Sequence, residues 1–271
     1  MTLFRMLGTV DIGKVDALPG STPSGMPKGL LLTLLLTPDS WVTRSAVIDL
    51  LWESPPKSAE ANLRTYVCVV RRWLSAHSLE RRLTTVRSGA HQCAAYRVSA
   101  SGEDVDAFVF TELLEKGRRL LRTGHRKAAA DTLNRAESLW RGTAGADAQG
   151  SQRLQAKLGL LNELRLEASS LLNEAMILLG DLRPLSHRIE NLLTEHPLHE
   201  RLWAQLLRVR YLMGEPTRAL DTYRRASATL REELDVTPGP LLQRLHQAAL
   251  SRDDEMMRFP RRLPIIGAEQ N

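Results

Sequence analysis

The segment K-S-A-E-A-N-L-R-T-Y-V-C-V-V-R-R-W-L, residues 57–74, decides the fold of the first part of the chain. Its apolar residues recur every three or four positions, which is the spacing of one face of an α-helix. That face must be buried, and it consists of Leu63, Val67, Val70 and Leu74. The cations and small residues between them point away from it, so they are available to meet phosphates and base edges.

The residues around this helix predict a helix-turn-helix with a wing. Thr43 is the expected N-cap of a preceding helix that ends near Trp52, and two prolines then separate that helix from the basic one. Two helices in this order, joined by a short connection, match the helix-turn-helix arrangement. The segments Thr84–Val86 and Tyr96–Val98 are predicted to pair around the polar stretch Arg87–Ala95, and this β-hairpin would be the wing.

The first forty residues supply elements that pack against these helices. Leu3–Ile12 alternates like a strand with one apolar face. The Pro-, Gly- and Ser-rich stretch Pro19–Pro27 is predicted to be an exposed connection. Lys28–Thr37 is rich in leucine and ends before a proline, so it is predicted to be a buried helix. The apolar strand face comprises Phe4, Met6, Val10 and Ile12.

Positive charge is concentrated in the first part of the chain. Residues 1–100 contain twelve Lys and Arg residues against seven Asp and Glu residues, whereas residues 101–271 contain 25 and 24. Such an excess in one part is typical of a module that binds a polyanion, joined to a neutral module. At 271 residues, 43% of them hydrophobic, the chain is long enough for two domains with separate cores.

Several spaced motifs resemble the Streptomyces antibiotic regulatory protein family. They are W-V-T-R-S-A-V-I-D-L-L-W (41–52), P-P-K-S-A-E-A-N-L-R-T-Y-V-C-V-V-R-R-W-L (55–74) and Y-R-V (96–98). The resemblance implies a winged helix of the response-regulator type, whose third helix enters the major groove of promoter DNA. It also implies two protomers bound side by side on direct repeats, and recruitment of RNA polymerase, including its σ subunit.

The resemblance and the helical pattern together assign roles at the predicted DNA surface. By resemblance, Thr65 and Val69 match base-facing positions, and Tyr66 and Arg71 match positions that face phosphates. Cys68 and Val69 replace the Ser and Arg that are common in the family, and S-G-A-H-Q-C-A-A-Y replaces its Pro-Gly-Tyr turn. The predicted base-facing residues are Arg64, Thr65, Cys68 and Val69, and the predicted phosphate contacts are Arg44, Lys57, Tyr66, Arg71, Arg72 and Arg87.

The second part of the chain contains an internal repeat. L-R-T-G-H-R-K-A-A-A-D-T-L-N-R-A-E-S-L-W (121–140) aligns without gaps with Y-L-M-G-E-P-T-R-A-L-D-T-Y-R-R-A-S-A-T-L (211–230). Gly180 precedes Gly214 by 34 residues, which is the period of tetratricopeptide helix pairs. We expect antiparallel helices that Gly and Ala allow to pack closely. The longer interval from Gly124 to Gly180 predicts an inserted loop at residues 141–151.

Further motifs resemble the bacterial transcriptional activation domain that follows the winged helix in the same family. They are D-A-F-V-F (106–110), S-L-W-R-G (138–142), E-H-P-L-H-E-R-L-W (195–203) and the run E-E-L-D-V-T-P-G-P-L-L-Q-R-L-H-Q-A-A-L (232–250). The predicted fold is mainly α with a small β component: a winged helix-turn-helix, then an all-α, tetratricopeptide-like activation domain. The predicted boundaries are 1–102 for the winged helix, 103–250 for the helical repeats and 251–271 for a flexible tail.

Sequence signatures of enzymes, metal sites and secreted proteins are missing. The motifs GxGxxG, GxxxxGK[ST], HExxH and GxSxG do not occur, so no catalytic residue and no cofactor are predicted. Cys68 and Cys93 lack metal-ligand spacing, and Pro197 and Glu200 make a helix start beside His199 a better interpretation than a metal site. There is no secretion signal, and the apolar runs are too short to cross a bilayer, so a cytoplasmic location without membrane contact is expected.

The sequence favours one function and leaves a second open. The favoured function is a transcriptional activator of a secondary-metabolite gene cluster, such as one for an antibiotic, with double-stranded promoter DNA and RNA polymerase as partners. The alternative is a helical-repeat scaffold or a ligand-sensing regulator in which the repeat domain controls DNA binding. Binding to promoter DNA that weakens with added salt would distinguish the first from a scaffold for which nucleic acid is incidental.

Overall fold

A computed structural model describes residues 2–13, 23–88 and 93–259, with the side chains of residues 87, 88, 93 and 94 left out. The described residues form two compact units. The first is drawn from Met1–Lys116 and Thr132–Ala168, and the second from Gly117–Asp131 and Ser169–Asn271. The domain boundaries inferred from the sequence stay predictions.

The first unit contains the winged helix-turn-helix that the sequence predicts. In chain order its elements are β1 (Phe4–Arg5), β2 (Asp11–Ile12), α1 (Met26–Leu35), β3 (Val42–Thr43), α2 (Arg44–Leu51), α3 (Ala59–Ala76), β4 (Leu83–Ser88) and β5 (Cys93–Val98). The helices α4 (Asp106–Arg122), α5 (Arg126–Glu137) and α6 (Gln152–Leu179) follow, and each contributes residues to both units.

The single strand predicted over Leu3–Ile12 is wrong, because this stretch forms a hairpin of two short strands. β1 and β2 pair antiparallel, with Phe4 opposite Ile12. Between them Gly8 has a φ of 136°, which residues with a side chain rarely adopt. The four apolar residues of the predicted face are all buried. The alternating pattern therefore identified the buried side chains, whereas the glycine backbone determines where the chain can turn.

The leucine-rich helix α1 packs against α2 and α3 at the centre of the winged helix. Its stretch Leu30–Leu35 is buried throughout. α2 begins at its predicted N-cap, where the Thr43 hydroxyl accepts a hydrogen bond from the Ala46 amide at 3.3 Å. The predicted apolar stripe of α3 is buried to 5% exposure or less. Each of these side chains stabilises the fold by about 1.5–3 kcal/mol through removal from water.

Helix α1 starts two residues before the predicted position, and Pro27 lies in its first turn. A proline is tolerated there because its missing N–H would have no partner within the helix. Pro23 is buried. The C-terminal end of the exposed connection predicted over Pro19–Pro27 is therefore wrong, and residues 19–22 lie outside the described residues.

The strands of the wing are longer than the sequence predicted. β4 and β5 pair antiparallel from Leu83 opposite Val98 to Ser88 opposite Cys93, so they extend into the stretch that was predicted to be a loop. Backbone groups of any residue type can continue a ladder beyond the apolar positions that mark it. The sequence also missed β3, which pairs with the other edge of β5 to give the strand order β3-β5-β4.

Residues 141–151 form the inserted loop that the sequence predicted, but this loop is bound to the winged helix. The Gly145 amide donates a hydrogen bond to the Met6 carbonyl at 3.0 Å. The Ser151 hydroxyl donates to the Leu50 carbonyl near the end of α2, also at 3.0 Å. The loop therefore satisfies backbone groups of both the N-terminal hairpin region and the helix-turn-helix.

Two carboxylates bind the winged helix from outside it. Asp106, at the start of α4, accepts hydrogen bonds from the amides of Met6 and Leu7 at 2.8 and 3.1 Å. Burial raises the pKa of Asp106, although these hydrogen bonds act in the opposite direction. Asp147, in the inserted loop, forms an ion pair with the buried amine of Lys28. The core of the winged helix is therefore completed by residues beyond position 102.

The second unit consists of packed helices. Besides parts of α4, α5 and α6, it contains α7 (Leu182–Glu195), α8 (Glu200–Leu212), α9 (Pro216–Leu234), α10 (Pro240–Ser251) and α11 (Asp254–Arg258). α7 packs against α8 and α8 against α9, while α10 contacts both α8 and α9. This arrangement agrees with the predicted tetratricopeptide-like repeats.

The role predicted for the repeated glycines is wrong. Gly124, Gly180 and Gly214 each follow the end of a helix with φ between 79° and 86°. In each case the next residue donates a backbone hydrogen bond to the carbonyl five positions back, as in a Schellman motif. A Cβ on any of them would meet no heavy atom within 4 Å. They permit a left-handed backbone and not close packing, whereas the buried Ala129 and Ala219 do pack as predicted.

Part of the tail that was predicted to be flexible forms the helix α11. Met257 is fully buried, and the Tyr211 hydroxyl donates a hydrogen bond to the Asp254 carboxylate at 2.7 Å. The charged composition that indicated flexibility does not reveal that one methionine can anchor a helical turn. Residues 260–271 lie outside the described residues.

Candidate nucleic-acid interface

The outward face of α3 carries the residues that were predicted to face bases. Arg64, Thr65 and Cys68 are exposed, while Val69 is half-buried. The side chain of Arg64 is 70% exposed. The Thr65 hydroxyl donates to the Ala61 carbonyl at 3.2 Å, which leaves its lone pairs available to a donor on a base. The structure therefore brings these four side chains onto one accessible face.

An acidic residue, Glu60, lies among the predicted cations. Its Oε2 is 2.8 Å from Arg44 Nη1 and 4.0 Å from Arg64 Nη2. The first contact joins α2 to the first turn of α3. Exposed ion pairs contribute only about 0.2–1 kcal/mol, so a phosphate can compete for either guanidinium. No role was predicted for Glu60, because its contact with Arg44 depends on how α2 and α3 pack.

Tyr66 lies at the junction between the two helices of the helix-turn-helix. Its ring stacks on that of Trp52, with centroids 5.9 Å apart and planes inclined by 25°. Trp52 is the first residue after α2, so this stack holds the connection between α2 and α3. The contact shows how Tyr66 is positioned, and its contact with phosphate stays a prediction.

Arg71 joins α3 to the wing. Its Nη2 donates a hydrogen bond of 2.7 Å to the Thr85 hydroxyl on β4, and both residues are exposed. A guanidinium has five N–H donors. Arg71 can therefore hold the wing beside the helix and still donate to a phosphate.

The remaining predicted phosphate contacts lie at three places in the winged helix. Lys57 is exposed in the turn before α3, and Arg72 is exposed on α3 itself. Arg87 lies on β4 with its backbone opposite Ala94, but its side chain is outside the described part of the structure. The structure places Lys57 and Arg72 at the surface and does not test the orientation of the Arg87 side chain.

The buried Tyr96 on β5 shows how close several of these charges lie to one another. Burial raises the pKa of Tyr96, and the positive charges of Arg44, Arg64 and Arg71 lower it. The negative charge of Glu60 raises it. Three cations from two different helices therefore influence a single phenol beneath the surface.

A contact between a cation and an aromatic ring was also not predicted. The Arg97 guanidinium lies 4.6 Å from the ring centroid of Trp41, which is 44% exposed. Arg97 Nη1 is also 3.8 Å from Asp39 Oδ1. The pairing of β3 with β5 brings these residues together, and the sequence carries no local signal for that pairing.

A histidine that was considered for a metal site lies at the start of a helix. α8 begins at Glu200, as the sequence predicted, with His199 directly before it. Burial lowers the pKa of His199. Across 2–13, 23–88 and 93–259, no group of three or more His, Cys, Asp and Glu residues could hold a metal ion. In the same ranges, no helix has both the length and the apolar character needed to cross a membrane.

Comparisons with known proteins match this architecture. A family model described as the bacterial transcriptional activator domain matches residues 105–250. The regulatory protein DnrI of Streptomyces peucetius is 30% identical over 229 residues, which are 84% of this chain and 84% of that protein. The transcriptional regulatory protein MoaR1 of Mycobacterium tuberculosis is 31% identical over 252 residues, which are 91% of this chain and 78% of that protein. A solved structure of Mycobacterium tuberculosis EmbR in complex with a low affinity phosphopeptide has a TM-score of 0.80 and 30% identity, and it covers 92% of this chain and 65% of that one.

The winged helix and the matched activator domain define a transcriptional regulator. The chain belongs to the Streptomyces antibiotic regulatory protein family. Membership of this family identifies it as a transcriptional activator and not an enzyme.

Proposed function

We propose that this activator binds promoter DNA through α3 and the wing in a sequence-specific manner. One observation carries the proposal: α3 buries one apolar stripe and exposes Arg64, Thr65, Cys68 and Arg72, so that its outer face combines cations with small groups. A major groove admits a single α-helix with this kind of surface.

The positions of the side chains suggest that some of them bind phosphates and others contact bases. Arg44 lies on α2 beside α3, and Arg71 lies on α3 with its guanidinium directed to the wing. There they would bind phosphates on either side of the groove. Arg64 and Thr65 lie on the helix face itself, where an arginine can pair with guanine and a threonine methyl can contact thymine. Phosphate contacts position the protein, whereas base contacts give specificity.

The finer features of the proposal come from the family. Two protomers would lie side by side on direct repeats in a promoter, and the helical repeats would recruit RNA polymerase through its σ subunit and other surfaces. The regulated genes would belong to a secondary-metabolite cluster. The small net charge of residues 101–271 supports protein contact, and not DNA contact, as the work of the second part.

The test measures binding of the full-length protein to a labelled fragment of the promoter beside its own gene, at several salt concentrations. Arg72→Ala should weaken binding to every DNA sequence. It should also reduce the slope of log affinity against log salt concentration by about one. Lys127→Ala, which removes the same charge from a 78% exposed residue of the second unit, is the matched control and should change neither. Thr65→Ala should instead change the ranking of operator variants, because one good base contact discriminates by about 1–3 kcal/mol.

Two results would count against the proposal. Equal effects of Arg72→Ala and Lys127→Ala would show that charge alone, and not the α3 surface, attracts DNA. Binding without any sequence preference would leave only non-specific association. Transcription from the same promoter with purified RNA polymerase then tests recruitment, and it should require the helical repeats.

A ligand-sensing regulator is a second candidate because the second unit has an open cavity of about 290 Å³. Arg126, Arg258 and Phe259 line it together with leucine and isoleucine side chains. Cations beside an apolar wall fit a small amphipathic carboxylate. If decanoate binds the full-length protein and changes its affinity for promoter DNA, this function gains support; an unchanged affinity at saturation would argue against it.

A further inference from the structure

Helix α11 is held on the second unit by a buried arginine of α8. Arg208 is 1% exposed. Its Nε donates to the Met257 carbonyl at 2.8 Å, and its Nη2 donates to the Arg258 carbonyl at 3.0 Å. Its Nη1 forms an ion pair of 2.7 Å with Glu174 of α6. A buried guanidinium therefore binds the carbonyls that end α11, where the helix itself has no donors for them.

α11 packs against both α8 and α10. Met257 is fully buried, whereas Asp254, Glu255 and Arg258 are exposed. Besides the methionine and the two carbonyls, the Asp254 carboxylate accepts the hydrogen bond of 2.7 Å from Tyr211. α11 thus contacts α8 as a short peptide ligand does, through one anchor side chain, backbone acceptors and one acidic group.

The surface under α11 is built for such a segment. Nε and Nη2 of Arg208 donate to α11 carbonyls, whereas Nη1 donates to Glu174. If α11 leaves, Nε and Nη2 of Arg208 lose these acceptors and can donate to the carbonyls of another peptide. A five-residue helix is too short to be stable by itself, so α11 unfolds when it is released.

We propose that Arg208, Tyr211 and Glu174, together with the side chains around Met257, form a peptide-binding groove, here called the α8 groove. α11 is its resident and exchangeable occupant. A competing partner segment would be a short helix with a methionine or leucine at its buried position, an acidic residue three positions earlier and free carbonyls at its end. Arg258 and Phe259 also line the cavity of the second unit, so exchange would change that cavity.

The affinity of a separate peptide for the α8 groove can be bounded from the effective concentration of the tethered α11. A segment tethered close to its site has an effective concentration of about 1 mM. If α11 is docked about 10²–10³ times more often than it is released, the same peptide added as a separate molecule should bind an open α8 groove with a Kd of about 1–10 µM.

The first experiment follows backbone hydrogen exchange in the unaltered full-length protein. The amides of Met257 and Phe259 are hydrogen-bonded to the Asp253 and Glu255 carbonyls. We expect them to exchange about 10²–10³ times more slowly than an unfolded peptide, and the central amides of α8 to exchange at least ten times more slowly still. Equal protection of α11 and α8 would show that α11 opens only when the whole unit unfolds, and it would overturn the proposal.

The second experiment opens the groove in the full-length chain with Met257→Asp, which places a charge at the anchor position. A fluorescent peptide of residues 252–259 should bind this variant with a micromolar Kd and bind the unaltered protein at least tenfold more weakly. Met256→Asp is the matched control, because Met256 is only half-buried, and this variant should behave like the unaltered protein. The peptide carrying Met257→Asp should not bind to any of the proteins.

The outcomes decide between exchange and a fixed structural role. If Met257→Asp is folded, as judged by its circular dichroism, and does not bind the peptide, the α8 groove is not a peptide site. If Met257→Asp lowers the folded fraction, hydrogen exchange in the unaltered protein decides alone. Neither experiment involves DNA, so failure of this proposal leaves the proposed promoter binding untouched.

Discussion

Glu60 shows how one residue can set the electrostatics of a cationic surface. It lies in the first turn of α3, where a negative charge is favourable near the helix N-terminus. It also pairs with Arg44 at 2.8 Å and so holds that guanidinium between α2 and α3. The same carboxylate faces the position where we expect DNA phosphates, so it stabilises the free protein and opposes binding to a polyanion.

We predict that Glu60→Gln strengthens non-specific DNA binding about fivefold at moderate salt. The reason is that a unit charge about 4 Å away in water interacts by about 1 kcal/mol, and the substitution removes a repulsive one. The measurement is a salt titration on random-sequence DNA, in which the slope should also become steeper as Arg44 is released to phosphate. Weaker binding would mean that the carboxylate is needed chiefly to position Arg44.

Three helices in the second unit end with the same backbone geometry. Gly124, Gly180 and Gly214 share a left-handed conformation and the same pattern of hydrogen bonds to preceding carbonyls. The repeat in the sequence therefore records where each helix must stop. The periodic side chains record a different property, which is how one helix packs on the next.

We predict that Gly214→Ala and Gly159→Ala change stability in opposite directions. Neither added methyl group meets a heavy atom within 4 Å. At Gly214, with φ of 79°, alanine should lower the free energy of unfolding by about 1 kcal/mol, because the left-handed conformation is unfavourable for it. At Gly159, within α6, alanine should raise it by about 0.5–1 kcal/mol. Urea unfolding of both variants measures the difference, and a destabilised Gly159→Ala would contradict the open space seen around it.

The start of α8 gives the second unit a dependence on pH. Burial, with the nearby charges of Arg201 and His196, lowers the pKa of His199 below its ordinary value of 6.5. The folded state then binds a proton less readily than the unfolded chain. Stability should therefore fall as the pH drops below about 6.5, and it should stop falling once the pH is below the pKa of the folded state.

We predict that His199→Gln reduces this loss of stability, since glutamine takes up no proton. The measurement is the free energy of unfolding at pH 7.5 and pH 5. His187→Gln is the control, because the side chain of His187 is 86% exposed, and it should leave the difference unchanged. Burial also lowers the pKa of His246. Part of the loss of stability at low pH should therefore remain in both variants. An identical loss in His199→Gln and the unaltered protein would rule out this source.

On the scale of the whole molecule, the first unit is assembled from distant parts of the chain. The amides of Met6 and Leu7 have Asp106 as their acceptor, and the carbonyl of Leu50 accepts from Ser151. These contacts join residues about 100 positions apart and connect the winged helix to residues of the matched activator domain.

We predict that a fragment ending at Glu103 is markedly less stable than the winged helix in the full-length protein. Loss of Asp106 leaves two buried amides without an acceptor, at about 1–3 kcal/mol each. The measurement is the urea midpoint of the fragment. Asp106→Ala in the full-length chain removes the same acceptor and should show part of the loss of stability. A fragment as stable as the full-length protein would establish the boundary at 102. Where it is folded, the fragment should keep most of the salt dependence of DNA binding.

The sequence alone determined the features that depend on neighbours along the chain. The apolar period of α3, the N-cap at Thr43 and the 34-residue spacing from Gly180 to Gly214 each record a local property, and each is present in the structure. Helical periodicity encodes which side of a helix is buried, because the geometry of the helix is the same in every protein. It also sufficed to identify the exposed face of α3.

Only the tertiary structure decided which distant residues meet. The pair of Glu60 with Arg44, the strand β3 beside β5, the inserted loop on the winged helix and the buried Arg208 beneath α11 depend on elements that are separated along the chain. Such contacts leave no periodic trace in the sequence. They arise because buried polar groups must find partners, and the nearest available partner is set by the packing of whole elements and not by sequence distance.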